Sequence, residues 1–169
     1  MKFLEKLNII EKEQFKFNNF KEAINWLEDN IKSKENLKRV GIMIDIDGVL
    51  VKFFQKKIPF GNLKLLLKLA KQENNKVLLV TNRFPYLTKY FPFWDKKTQQ
   101  MFKNYGIDTE TLIKLFAGKN LSTLLEIIKD REVVYYIGSG ILDKKLVADL
   151  RKKMKEQNIP QEKLIFILV

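Results

Sequence analysis

Five short apolar runs set what this chain can fold into. Arg39–Asp45 reads Arg-Val-Gly-Ile-Met-Ile-Asp, and it is followed by Lys76–Asn82, a weaker run at Leu112–Ala117, then Val133–Ile137 and Lys163–Val169. Each is too short for a helix and apolar at successive positions, the pattern of a strand buried on both faces of a parallel sheet. Helical spacing fills the intervals, at about 62–73, 96–104, 120–130 and 143–157. A further amphipathic helix over 20–33, with Phe20, Ala23, Ile24, Leu27 and Ile31 on one face and Asn18 or Asn19 as its cap, precedes the first run. The expectation is one α/β domain over 1–169, a three-layer α/β/α fold with a central, mostly parallel sheet. Residues 1–38 read as a helical lead-in and 39–169 as the core. In such a sheet, ligands bind at the carboxyl ends of the strands.

Composition removes several chemistries. The chain has no cysteine and no histidine, which excludes disulfides, thiol nucleophiles, imidazole or thiolate zinc sites and every histidine-based triad. Carboxylates, hydroxyls and lysines remain. The net charge of +12 suits a polyanionic partner such as nucleic acid. Only four of the 32 basic residues are arginine, however, and lysines and glutamates are interspersed from end to end, so a solvated basic surface is the plainer reading. No apolar run approaches the ~18 residues of a membrane span, and the first residues mix acid with base. The expected setting is cytoplasmic, with no membrane partner.

The strand ends carry the polar residues of interest. The first run ends Asp45-Ile-Asp47-Gly48, the second Thr81-Asn82-Arg83, and the fourth Gly138-Ser139-Gly140 with Asp143 close behind. Gly118-Lys119 follows the third run and opens a helix. Asp-Gly alone is a common turn. Two carboxylates so close together are nevertheless costly without a cation, because each raises the pKa of the other. An all-oxygen set made by Asp45, Asp47 and Asp143 suits a hard ion such as Mg²⁺. Asp45 is then the candidate nucleophile for in-line attack on phosphorus, and Thr81 and Lys119 are candidates to bind the equatorial phosphoryl oxygens. Asn82 and Arg83 are further candidates for contact with a substrate phosphate.

Taken in order, Asp-x-Asp-Gly-Val at Asp45–Val49, Thr81, Lys119 and Gly138–Asp143 resemble the motifs of the haloacid dehalogenase-like superfamily of phosphohydrolases. The resemblance spans roughly 39–169 and implies a phosphatase that forms an aspartyl-phosphate on Asp45. It also implies that Asp47 protonates the leaving oxygen and then activates water, with Mg²⁺ held by Asp45, the main-chain carbonyl of Asp47 and Asp143. One position departs from the pattern: Ser139 stands where many relatives carry an Asp. The intervals after Asp47 and Thr81 are mostly consumed by crossover helices, leaving no room for a large cap. The resemblance therefore points to capless members, whose open site either takes a macromolecular phosphorylated substrate or is closed by a neighbouring subunit of a homo-oligomer. Small phosphorylated substrates also fit the chemistry. Between Phe84 and Trp94, six aromatics and two prolines form a segment that reads as an irregular loop. The alternative function is a catalytically impaired binding module for nucleic acid or a protein partner.

Overall fold

The computed structural model describes residues 14–52, 58–81, 113–114 and 121–169, with the single positions 100 and 104. Its elements are β1 (Gln14–Lys16), α1 (Phe20–Ser33), β2 (Val40–Asp45), α2 (Phe60–Ala70), β3 (Asn75–Thr81) and β4 (Ile113–Lys114). They continue with α3 (Leu121–Asp130), β5 (Val133–Gly138), α4 (Ile141–Glu156), a 3₁₀ turn (Gln161–Lys163) and β6 (Leu164–Leu168). The strands form one sheet in the order β1-β6-β5-β2-β3-β4, and every neighbouring pair is parallel.

The unbroken apolar runs explain the three layers. All six residues of β2 and of β5 are buried, and successive side chains point to opposite faces. Val40, Ile42 and Ile44 pack with α1 and α2 in one core, where Leu27, Leu66 and Tyr135 are among the partners. Met43 points the other way, into a second core with Tyr136, Phe166 and residues of α3 and α4. The two apolar layers are covered by helices whose outer faces are polar. No helix among the described residues is long and apolar enough to cross a membrane.

Local chemistry sets the ends of α1. Asn19 caps it by accepting a hydrogen bond from the Glu22 amide at 3.0 Å. The Glu22 carboxylate accepts in return from the side-chain amide of Asn19 at 3.0 Å, so two groups are satisfied reciprocally.

Three boundaries differ from the sequence reading. The lead-in is not wholly helical, because Gln14–Lys16 adds a sixth strand at the edge beside β6. Phe15 and Phe17 anchor it by packing on Trp26 of α1, with ring centroids 4.3 and 5.6 Å away. Helix α2 starts at Phe60 and ends at Ala70, shifted toward the N-terminus of the expected 62–73. Helix α4 starts at Ile141, two residues before the expected Asp143, which places that aspartate inside its first turn. Of the weak run at Leu112–Ala117 only Ile113–Lys114 is described, and it is strand; positions 100 and 104, within the expected helix 96–104, are helical.

Candidate active site

The strand order creates the crevice. From central β2 the chain moves outward through β3 and β4 on one side, then returns to lay β5 and β6 on the other, where β6 lies beside β1, the strand that precedes β2 in the chain. Open parallel sheets bind ligands where the order reverses, outside the carboxyl ends of the two strands that meet there. Those strands are β2 and β5. Their register pairs Ile44 with Ile137, so Asp45 and Gly138 leave the sheet next to each other.

At the end of β2 the backbone turns sharply. The Ile46 amide makes a last bond to Val80 O at 3.1 Å, and the amides of Leu50 and Val51 then fold back to Ile46 O. Gly48 adopts φ 83°, a left-handed conformation that favours glycine, and its amide donates to Val51 O at 2.7 Å. Asp45 is thereby held at 5% exposure, while Asp47 lies half-buried at the bend.

Asp143 reaches the same crevice from the other strand. It is 2% exposed, and both its oxygens are bonded: the Tyr136 hydroxyl donates to Oδ1 at 2.7 Å and the Ser139 amide to Oδ2 at 2.8 Å. A Cβ on residue 138 would stand 2.6 Å from Asp143 Cβ and Cγ, so glycine is required there for the carboxylate to enter. The Ser139 hydroxyl donates to Asp47 O at 3.0 Å and ties the two strand-end turns together.

Among the described residues these groups make a site that is short of positive charge. Burial pushes the Asp45 carboxyl up to about 9, helped by the charge of Asp143, a side-chain hydrogen bond with it, and the charge of Asp47. Burial, then the charges of Asp143 and Asp45, push the Tyr136 phenol well above its ordinary value. Among the described residues Asp45 Oδ1 is buried with no hydrogen-bond partner. Such an orphaned oxygen, facing a second carboxylate, fits a hard cation. No group of three or more Asp, Glu, His or Cys side chains at metal-holding distance occurs among the described residues. The donor set that fits is the carboxylates of Asp45 and Asp143 with the main-chain carbonyl of Asp47, which accepts from the Ser139 hydroxyl.

Of the residues singled out from sequence, the structure brings together Asp45, Asp47, Ser139 and Asp143. Thr81 is the last residue of β3, adjacent to β2, with its backbone paired to Lys114; its side chain lies outside the described set. Asn82, Arg83, Lys119 and the aromatic segment Phe84–Trp94 also lie outside it. Tyr136 went unnoticed in the sequence, where an aromatic inside an apolar run reads as core. The signal available was a hydroxyl two residues before the glycine of the fourth strand end. No protein-family model matches the chain, and no curated protein matches it.

Two results follow from this geometry. Because the folded Asp45 carboxyl titrates near 9 instead of its ordinary 3.8, the folded protein binds a proton that the unfolded chain has lost at the pH values between. Metal-free protein should therefore lose stability as pH rises through that window and lose none of it below pH ~4. Asp45→Asn removes the penalty: metal-free thermal melts should show the variant melting above wild type at pH 8, with the gap closing toward pH 4. Gly138→Ala should cost about 1–3 kcal/mol in urea unfolding through overpacking against Asp143. Gly61→Ala in α2, where an added Cβ meets nothing within 4 Å, should be neutral or slightly stabilising.

Proposed function

We propose that the protein is a cytoplasmic, Mg²⁺-dependent phosphomonoester hydrolase of the capless haloacid dehalogenase-like type, with Asp45 as nucleophile. The observation that carries this reading is the buried Asp45 carboxylate, with its unpartnered Oδ1, set against Asp143 where the strand order reverses. Glu28, also buried with one orphaned oxygen, is neutralised by Lys68 at 2.8 Å, whereas no cation among the described residues pairs with Asp45.

In this mechanism a carboxylate oxygen of Asp45 attacks phosphorus in line with the ester oxygen, which leaves as the P–O bond to Asp45 forms. Asp47, two residues on at the bend, gives its proton to the leaving oxygen. It then takes a proton from the water that attacks the aspartyl-phosphate, the P–O bond to Asp45 breaks, and inorganic phosphate is released. Mg²⁺ held by Asp45, Asp143 and the Asp47 carbonyl would supply the charge that keeps Asp45 ionised and offsets the phosphate's own charge. Tyr136 and the Ser139 amide fix the direction of the Asp143 carboxylate. Ser139, through its hydroxyl, holds the Asp47 carbonyl and with it the bend that carries the acid–base. Thr81, Lys119, Asn82 and Arg83 keep the phosphoryl- and substrate-binding roles that the sequence pattern implies. The substrate is a phosphate monoester, small or macromolecular, and a homo-oligomer that closes the crevice fits the same reading.

One observation favours the second reading, a binding module without turnover. Ser139 occupies the position at which many members of that superfamily carry a carboxylate, and its hydroxyl is committed to Asp47 O. Hydrolysis of a generic aryl phosphate decides between the two. The expected result is activity that EDTA abolishes and Mg²⁺ restores, reduced at least about a thousandfold in Asp45→Asn. No hydrolysis by wild type with any divalent metal would overturn the phosphatase and leave the binding module.

A further inference from the structure

Helix α4 runs away from the candidate site, and its charge is unevenly distributed. Asp143, Val147, Leu150 and Met154 form its buried line. At ~100° per residue, Lys144, Lys145, Arg151, Lys152 and Lys155 fall within one outer strip about 120° wide that contains no acid. Asp149 and Glu156 border the strip on the side of Lys145, and Glu156 pairs with Lys153 at 3.0 Å. Lys145, Lys152 and Lys155 are exposed, and no carboxylate among the described residues lies in ion-pair range of them. The strip from Lys144 to Lys155 is about 16 Å long at the helical rise.

Part of the strip is repulsive. Lys152 and Lys155 are like charges three residues apart. Lys144 and Lys145 stand near the N-terminal, positive end of the helix, where cations are disfavoured. At that end, beside Asp143, Ile141 and Leu142 are 76% and 64% exposed. A row of cations thus leads to an apolar step at the edge of the phosphate site.

We propose that this strip binds the phosphodiester backbone of a single-stranded nucleic acid, whose phosphorylated end lies at Asp45 and whose terminal nucleoside packs on Ile141 and Leu142. The placement of the end rests on the phosphatase reading; the strip does not. A linear polyanion matches a row one helix wide. An anionic membrane matches it poorly, because a helix lying in a lipid interface turns its apolar face outward, and that face of α4 is buried against the sheet.

The test uses Asp45→Asn protein, which holds substrate without turning it over, and fluorescence anisotropy of a labelled single-stranded oligonucleotide with or without a terminal phosphate, at rising salt. Lys145→Gln/Lys152→Gln/Lys155→Gln should weaken binding on the order of tenfold or more and flatten the log–log salt slope by about 2, the loss of three single-strand phosphate contacts. Lys21→Gln/Lys32→Gln/Lys64→Gln removes the same charge from exposed positions on α1 and α2, in the other helical layer, and should leave binding close to that of the parent. In the Asp45-intact protein the strip variant should hydrolyse aryl phosphate as wild type does. Equal weakening in both triple variants, no weakening in the first, or strip-dependent binding of phosphatidylserine vesicles in preference to the oligonucleotide would each overturn the proposal. Strip-dependent binding that ignores the terminal phosphate, in a protein inactive on aryl phosphate, would overturn the placement of the end at Asp45 and the phosphatase with it, and would support the strip alone.

Discussion

Two buried carboxylates share one crevice, and much of the local structure serves to keep them there. Asp45, the last residue of β2, and Asp143, in the first turn of α4 beyond the end of neighbouring β5, are 5% and 2% exposed beside a sheet whose interior is apolar on both faces. Taking even one carboxylate out of water costs several kcal/mol unless it is paired or protonated. The protein meets that cost unevenly. Asp143 has both oxygens bonded, by a buried phenol and a main-chain amide, and Gly138 is the residue whose missing Cβ lets it in. Among the described residues Asp45 is left with an unpartnered oxygen, and burial and its neighbour hold its carboxyl near 9. One of the pair is anchored, and on the proposed reading a proton or a cation neutralises the other.

The fold was legible where burial is two-sided. Apolar runs such as Arg39–Asp45 and Val133–Ile137 can be satisfied only between two helical layers, so the parallel sheet followed from them directly. Strand β1 was not legible, because Gln14–Lys16 is only three residues long and polar at two of them. Contacts distant in sequence make it a strand: its pairing with β6 and the stacking of Phe15 and Phe17 on Trp26. The start of α4 was placed late for a related reason. Gly140 caps it without a side-chain bond, so no polar cap marks Ile141 as the first helical residue.

The site was legible as a list of strand-end aspartates and less so as a network. Asp45, Asp47 and Asp143 converge because the strand order reverses between β2 and β5, and a reversal of order is a property of topology that spacing along the chain does not carry. Tyr136 looked like core because its ring is core, packing on Phe166, while its hydroxyl serves Asp143. Ser139 read as a lost carboxylate. In the structure it acts through two hydrogen bonds, one to Asp143 and one to Asp47 O, and so couples the turn after β5 to the turn after β2.

On the proposed reading Asp45 and Asp143 hold a cation whose place a proton takes in the absence of metal. Calorimetric titration of EDTA-stripped protein with Mg²⁺ at pH 7, in two buffers of different ionisation enthalpy, counts the protons that binding displaces. The expected result is a single Mg²⁺ site whose filling releases about one proton, lost in Asp45→Asn. Absence of Mg²⁺ binding, or binding that releases no proton and survives Asp45→Asn unchanged, would contradict it.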